Sequence, residues 1–261
     1  MRWKQRACRA KVVAVVTKRG SKMDIKGKRI VILGGSSGIG LGTAQAAAKA
    51  GASVIIVSSR RERVDQALKS LPAGVEGHVV DLVDETAVRD FFGMIDSFDH
   101  LVFTAGESLE LGPIAQTGIE QAQRFFRLRY WGAFMAAKYG SPKIKTGGSI
   151  VFTSGLAGTR PHAGWSLGAS ICSAMEGLTR ALAVELAPIR VNIVCPGVVK
   201  SPLWANMAET DRDALYRGLA DKLLVGHVGE TDEIAKAYLY LIGQTYSTGQ
   251  VVVVDGGGAL V

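Results

Sequence analysis

A glycine-rich loop, Gly34-Gly35-Ser36-Ser37-Gly38-Ile39-Gly40, follows the apolar run Arg29-Ile30-Val31-Ile32-Leu33 and opens a helical pattern. Glycines at 34, 38 and 40 let a backbone turn tightly and lie close to a pyrophosphate. The helix that starts there directs its free N–H groups at the phosphates. A strand, a tight turn and a helix are thereby fixed in order, and a dinucleotide is the expected ligand.

The rest of the chain repeats that unit. Short β-rich runs fall at 29–33, 53–57, 77–80, 100–103, 149–153, 190–194 and 250–254. Helical patterns lie between them at about 38–50, 61–70, 84–96, 119–140, 165–187 and 230–243. Near-continuous apolar strands alternating with helices imply a parallel sheet covered on both faces. The expected fold class is α/β: one doubly wound Rossmann fold, with a seven-stranded parallel sheet in the order 3-2-1-4-5-6-7. A chain of 261 residues suits one such domain. The segment 200–228 follows a strand C-terminus, where such folds place ligands, and reads as a partly helical lid over the substrate.

The formal net charge of +8 suggests nucleic acid, but its distribution argues against that partner. Of 31 Lys and Arg, eight lie in residues 1–22 with no acidic residue among them; the other 23 are matched by 23 Asp and Glu. The body is neutral and shows no basic stripe, so nucleic-acid binding is not expected. Residues 1–22 read as a basic extension upstream of a domain spanning 23–261, with a targeting or binding tail as the other reading. No apolar stretch approaches the roughly 18 residues a membrane span needs, so no membrane partner is expected. Three scattered cysteines suit a reducing, cytoplasmic setting, and four isolated histidines offer no metal site.

About 20 residues past the glycine loop, strand 2 ends in Ser58-Ser59-Arg60-Arg61. An NAD site usually has an acid there to bind both ribose hydroxyls. Ser59 and Arg60 offer a hydroxyl and a guanidinium instead, and Arg60 can pair with a 2′-phosphate and stack on adenine. NADP(H) is therefore the expected cofactor. Asp81 and Leu82 follow strand 3 and are placed to flank the adenine. Thr104-Ala105-Gly106 follows strand 4, where a small turn lets the chain pass close to the ribose. Pro196-Gly197-Val198-Val199-Lys200-Ser201 follows strand 6, near the expected nicotinamide, with Val199 and Ser201 as further contacts.

This order of motifs resembles the short-chain dehydrogenase/reductase family from Lys26 to Val261. The family's T-G-x-x-x-G-I-G reads Leu33-Gly34-Gly35-Ser36-Ser37-Gly38-Ile39-Gly40 here, and its N-N-A-G reads Phe103-Thr104-Ala105-Gly106. Its helix G-L-T-R-x-L-A-x-E-L is intact from Gly177 to Leu186. Arg190-Val191-Asn192 and Pro196-Gly197 follow. The resemblance implies a Rossmann fold, a nicotinamide cofactor and a homodimer or homotetramer built on the helices at 119–140 and 165–187.

The resemblance also implies Tyr-x-x-x-Lys on the helix that carries G-L-T-R. Counting back from Gly177 puts the tyrosine position at Gly168 and the lysine position at Cys172. No tyrosine lies between Tyr139 and Tyr216, and no lysine between Lys145 and Lys200, so a shift of register does not restore the motif. The family's serine position falls on Gly155, with Ser154 beside it, and its asparagine position falls near Arg129. What is lost is a tuned acid. An unperturbed tyrosine titrates near 10, and a neighbouring cation normally lowers it toward the operating pH.

Three residues stand as substitutes. Ser154 can hydrogen-bond a substrate oxygen. Arg129 can stabilise a developing oxyanion, although it donates no proton at neutral pH. His162, on the loop entering the helix, is a candidate proton donor by residue type. Ordinary roles compete with each: an exposed loop histidine, a structural arginine ion pair, a helix-face aromatic for Tyr130, an inert thiol for Cys172. The reading is an NADP(H)-dependent oxidoreductase of a small, fairly apolar carbonyl, alcohol or enone, with an atypical proton-donor arrangement. A cofactor-binding sensor or scaffold without chemistry is the alternative. A non-redox lyase on the same scaffold is disfavoured, because the glycine loop is intact.

Overall fold

The computed structural model describes residues 25–109 and 111–261; the basic stretch 1–22 lies outside the described residues. Seven strands form one parallel sheet: β1 (Arg29–Leu33), β2 (Ser53–Ser58), β3 (Glu76–Val79), β4 (Phe98–Phe103), β5 (Ile144–Thr153), β6 (Arg190–Pro196) and β7 (Val251–Val254). Their order is β3-β2-β1-β4-β5-β6-β7, the doubly wound Rossmann arrangement read from the sequence. The chain reverses direction across the sheet between β1 and β4, which opens a crevice at their C-terminal ends.

Alternation along each central strand decides which helices cover which face. Ile30, Ile32, Val54 and Ile56 pack with Ala44, Ala47, Ile234 and Tyr238, which belong to α1 (Gly38–Lys49) and to α8 (Thr231–Gly243), the last helix of the chain. Val31, Leu33, Ile55 and Val57 point the other way and pack with Val88, Phe91, Ala133, Ala137, Met175 and Leu182. Those come from α3 (Glu85–Met94), α5 (Ala133–Gly140) and α6 (Ser166–Glu185). Between them in the chain lie α2 (Arg61–Ser70) and α4 (Ile119–Phe126). Each fully buried aliphatic or aromatic side chain contributes roughly 1.5–3 kcal/mol, so two such layers fix the sheet. Helix starts are set locally: Asp84 accepts from the Thr86 and Ala87 amides, and Glu230 and Glu233 form a capping box.

Two differences from the sequence reading matter. β5 begins at Ile144, ahead of the expected 149, and its pairing with β4 shifts register between Phe98 and His100. The helix expected over 119–140 is α4 and α5 joined by a π-helical turn, Arg127–Gly132. The segment 200–228 carries a 3-10 turn, Pro202–Trp204, and α7 (Glu209–Ala220). No described helix is long and apolar enough to cross a membrane.

His100 gives the fold a pH dependence. It is buried in β4 with its Nδ1 2.9 Å from Ser149 Oγ. Burial lowers its pKa from 6.5 to about 4; Asp99 opposes the shift, while Arg190 and Lys28 add to it. The unfolded chain takes up that proton near pH 6.5, whereas the folded chain resists it until about 4. Stability from this group is complete above the upper value and is lost as pH falls toward the lower, by at most about 3 kcal/mol. Urea unfolding across that window should show the loss, and His100→Gln should flatten it.

Candidate active site

The sequence-predicted contacts converge because each follows the C-terminal end of a strand. Gly34 has φ +89°, and a Cβ there would lie 2.5 Å from the Ala105 nitrogen. A Cβ on Gly40 would lie 2.2 Å from the Gly34 carbonyl oxygen and 2.4 Å from Thr104 Oγ1. Only glycine lets α1 come this close to the loop and to the turn after β4. The Ser37 side chain does not cap α1, which leaves the helix start to an external acceptor. The loop therefore fits a dinucleotide phosphate: a side chain at 34 or 40 would fill the cradle.

Around that loop stand the other expected contacts. Ser36, Ser37 and Ile39 are half-buried. Gly38 lies under the segment after β6, where its Cβ would be 3.5 Å from Ser201 Cβ and from Pro202 Cδ. Thr104 is tied to β1, its amide and its Oγ1 both bonding the Leu33 carbonyl. Gly197 donates to Val254 O at 3.0 Å, and Pro196 is buried at the end of β6. Val199 is buried and its carbonyl accepts from Trp204 Nε1 at 3.0 Å.

At the end of β2, Ser59 and Arg60 are exposed, and Arg60 immediately precedes α2. Arg61 is engaged with Asp65 at 3.9 Å. Among the described residues Arg60 makes no ion pair. Asp81 is exposed and closes a turn by accepting from the Val83 amide. Leu82 differs from expectation: its side chain is buried in the core with Phe91 and Phe103, so it anchors the turn rather than offering a surface to adenine.

A small cavity of about 40 Å³ adjoins the same turn, lined by Ala105, Arg129, Ser154 and Cys172 together with Thr104 and Met175. Arg129 reaches it from the π-helical turn. Its guanidinium lies against Gly106, where a Cβ would come within 2.6 Å of Nη1. A terminal nitrogen donates to the Glu107 carbonyl oxygen, and Nε lies 3.7 Å from Glu107 Oε2. Burial lowers the Arg129 pKa, with Glu107 opposing. Burial likewise pushes the Cys172 thiol up to about 11, so it is neutral at pH 7 and no activated nucleophile.

Ser154 and Arg129 are thus brought together; His162 is not. It is exposed, packs edge-on to Trp165 at 6.0 Å, and is not part of the cavity lining. Tyr130 packs on the core and edge-on to Trp131 at 5.1 Å, an aromatic anchor rather than a phenol in the cavity. One neighbour went unread in the sequence: Glu176, whose Oε1 accepts from Ser154 Oγ at 3.4 Å. It lies four residues after Cys172 on α6, the helical spacing that places two side chains on one face. Gly168 and Cys172 occupy the first and second turns of the same helix, and a Cβ on Gly168 would meet only Trp165, at 3.8 Å.

A family model described as enoyl-(acyl carrier protein) reductase matches residues 34–258. MalC of Malbranchea aurantiaca, a curated short-chain dehydrogenase/reductase, is 31% identical over 92% of this chain and 97% of its own length. The chain belongs to the short-chain dehydrogenase/reductase family. The solved structure of MalC, a reductase/Diels-Alderase, superposes with a TM-score of 0.84 over 91% of this chain and 98% of that one. A small-chain dehydrogenase solved in complex with NADPH is 37% identical, with a TM-score of 0.77 over 90% of this chain and all of that one. A short-chain oxidoreductase from Pseudomonas aeruginosa PAO1, NADPH-bound and containing an atypical catalytic center, is 28% identical with a TM-score of 0.82; the match covers 88% and 96% of the two chains.

Proposed function

We propose that the protein is an NADP(H)-dependent reductase or dehydrogenase of a small, fairly apolar carbonyl, alcohol or enone, working without the family's usual tyrosine and lysine. One arrangement carries this reading. The glycine loop and the Arg129 cavity both close on the segment Thr104–Gly106, so a dinucleotide held by the loop ends at the cavity. The NADPH complexes of two relatives support the choice of cofactor, as does Arg60, which makes no ion pair among the described residues.

In this reading the start of α1, with Ser36 and Ser37, holds the phosphates. Arg60 and Ser59 hold the 2′-phosphate. Asp81, Thr104–Gly106 and Pro196–Ser201 line the remaining length. Bound there, the nicotinamide supplies or accepts a hydride at an electrophilic carbon. Ser154 hydrogen-bonds the substrate oxygen, and Arg129 stabilises the negative charge that grows on it. Arg129 keeps its own proton, so water or the substrate supplies the one needed to finish reduction. A positioned acid contributes roughly 10²–10⁴-fold, and turnover is expected to be slow by that margin. Trp165, half-buried and packed on the buried Trp204 with ring centroids 6.4 Å apart, favours an apolar substrate body.

NADPH consumption against a panel of ketones, aldehydes and enones tests the reading. Slow, protein-dependent oxidation is expected; tight NADPH binding with no consumption selects the sensor or scaffold instead. A second reading comes from MalC's description as a Diels-Alderase. Cycloaddition transfers no proton, so glycine at 168 and cysteine at 172 suit it too. Product formed without NADPH oxidation would select it.

A homo-oligomer belongs to the same proposal. Ile119, Trp131, Phe134 and Val184 are exposed on α4, the π-helical turn, α5 and α6. Two shallow apolar grooves flank Trp131, one running along α4 and one toward Ala174 and Leu178 of α6. Large apolar side chains exposed together on neighbouring helices favour an interface there. Trp131→Glu should shift the chain to monomer in light scattering, and an unchanged mass would place the interface elsewhere.

A further inference from the structure

The charge balance of the cavity points to its substrate. Arg129 is half-buried there, its side chain 21% exposed, yet its Nε is fully buried and finds no hydrogen-bond partner among the described residues. Among the described residues its carboxylate partner is Glu107, whose Oε2 stands 3.7 Å away, beyond hydrogen-bond reach. That carboxylate is 42% exposed, so water screens the pair and holds it weakly. The other lining groups add no compensating charge. Cys172 is a neutral thiol, and Thr153 gives its hydroxyl to the Phe103 carbonyl. Glu176 lies outside the lining, where it pairs with Arg180 at 3.9 Å and accepts from Ser154. A buried cation without a well-placed anion is costly, and guanidinium's forked donors match two coplanar oxygens.

We propose that Arg129 is a receptor for a planar two-oxygen anion on the substrate, a carboxylate or the enolate of a 1,3-dicarbonyl, and that Glu107 occupies its place until substrate arrives. The proposal rests on the cavity being the substrate site of an NADP(H) enzyme, and it narrows the substrate from any small carbonyl to an acidic one. The anion takes the Nε–Nη2 edge of Arg129 and leaves Nη1 for the reacting oxygen, Glu107 moves toward solvent, and the substrate's apolar body lies toward Trp165. Gly106 belongs to the device, since a side chain there would displace the guanidinium.

The test uses three ring compounds of similar size: 1,3-cyclohexanedione, cyclohexanecarboxylate and cyclohexanone. Each is titrated into the NADPH-loaded protein at pH 7, with tryptophan fluorescence as readout. At least one of the two anions should bind about 10-fold or more tightly than cyclohexanone, the scale of a hydrogen bond to a charged group; which one does so separates enolate from carboxylate. Arg129→Met should abolish the preference. Arg129→Lys keeps the charge without the fork and should retain only part of it. Glu107→Gln should strengthen anion binding several-fold and leave cyclohexanone unchanged. Equal affinity for all three compounds overturns the proposal, as does a preference that survives Arg129→Met. Anion affinity unmoved by Glu107→Gln overturns the role given to Glu107. Wild-type protein that takes up no NADPH fails earlier, at the proposed function itself.

Discussion

Gly40→Ala is expected to remove dinucleotide binding and to cost the fold stability as well. The new Cβ would stand 2.2 Å from the Gly34 carbonyl oxygen and 2.4 Å from Thr104 Oγ1. Both neighbours are fixed, the first by the turn out of β1 and the second by its bond to Leu33, so α1 must move away from the loop. Overpacking of this kind costs about 1–3 kcal/mol. Misplaced N–H groups lose their hold on phosphate, each worth about 1.5–3 kcal/mol, so NADPH affinity should fall by roughly 100-fold or more. Gly93→Ala is the control: a Cβ there meets nothing within 4 Å, and binding should not change. Calorimetric titration with NADPH, paired with a thermal melt, checks both effects. Normal affinity in Gly40→Ala would separate the loop from the cofactor.

The second large effect is a change of cofactor. Arg60→Asp should lower NADPH affinity by roughly 10- to 100-fold, through loss of a charge-assisted bond and repulsion of the 2′-phosphate. NADH affinity should hold or rise, because a carboxylate at that place accepts from both ribose hydroxyls. The variant is well suited to the test. Residue 60 is the N-cap of α2, where aspartate is among the preferred residues, so the helix loses nothing. Dissociation constants for both dinucleotides, measured on both proteins, give the ratio directly. A ratio that does not move would make Arg60 the solvated start of a helix and nothing more.

Much of this architecture was legible in the chain because buried parallel strands leave a plain signal. Arg29–Leu33 is both the predicted and the observed β1, and the glycine loop behaves as its spacing requires. The misreadings have physical causes. Residues 145–148, Lys-Thr-Gly-Gly, look like a turn, but they belong to β5, in the register shift between the Ile144 and Ser149 pairs with β4, and 145–147 are exposed there. The π-helical turn is silent because the apolar pattern continues from Phe125 through Leu128 to Gly132 while the backbone gains a residue. That turn delivers Arg129 to Gly106. Leu82 reads as a ligand contact only if burial is ignored. Glu107, 22 residues before Arg129, and Glu176 beside Ser154 are contacts made by the fold, and local spacing carries little trace of either.

What joins these points is the claim that the glycine loop and the Arg129 cavity are the two ends of one NADP(H) site. A crystal structure of the protein grown with NADPH tests it most directly. Phosphates are expected at the start of α1, the 2′-phosphate at Arg60, and the nicotinamide ring beside Ala105, Ser154 and Arg129. NADPH bound with its nicotinamide away from that cavity, or a 2′-phosphate that does not meet Arg60, would contradict it.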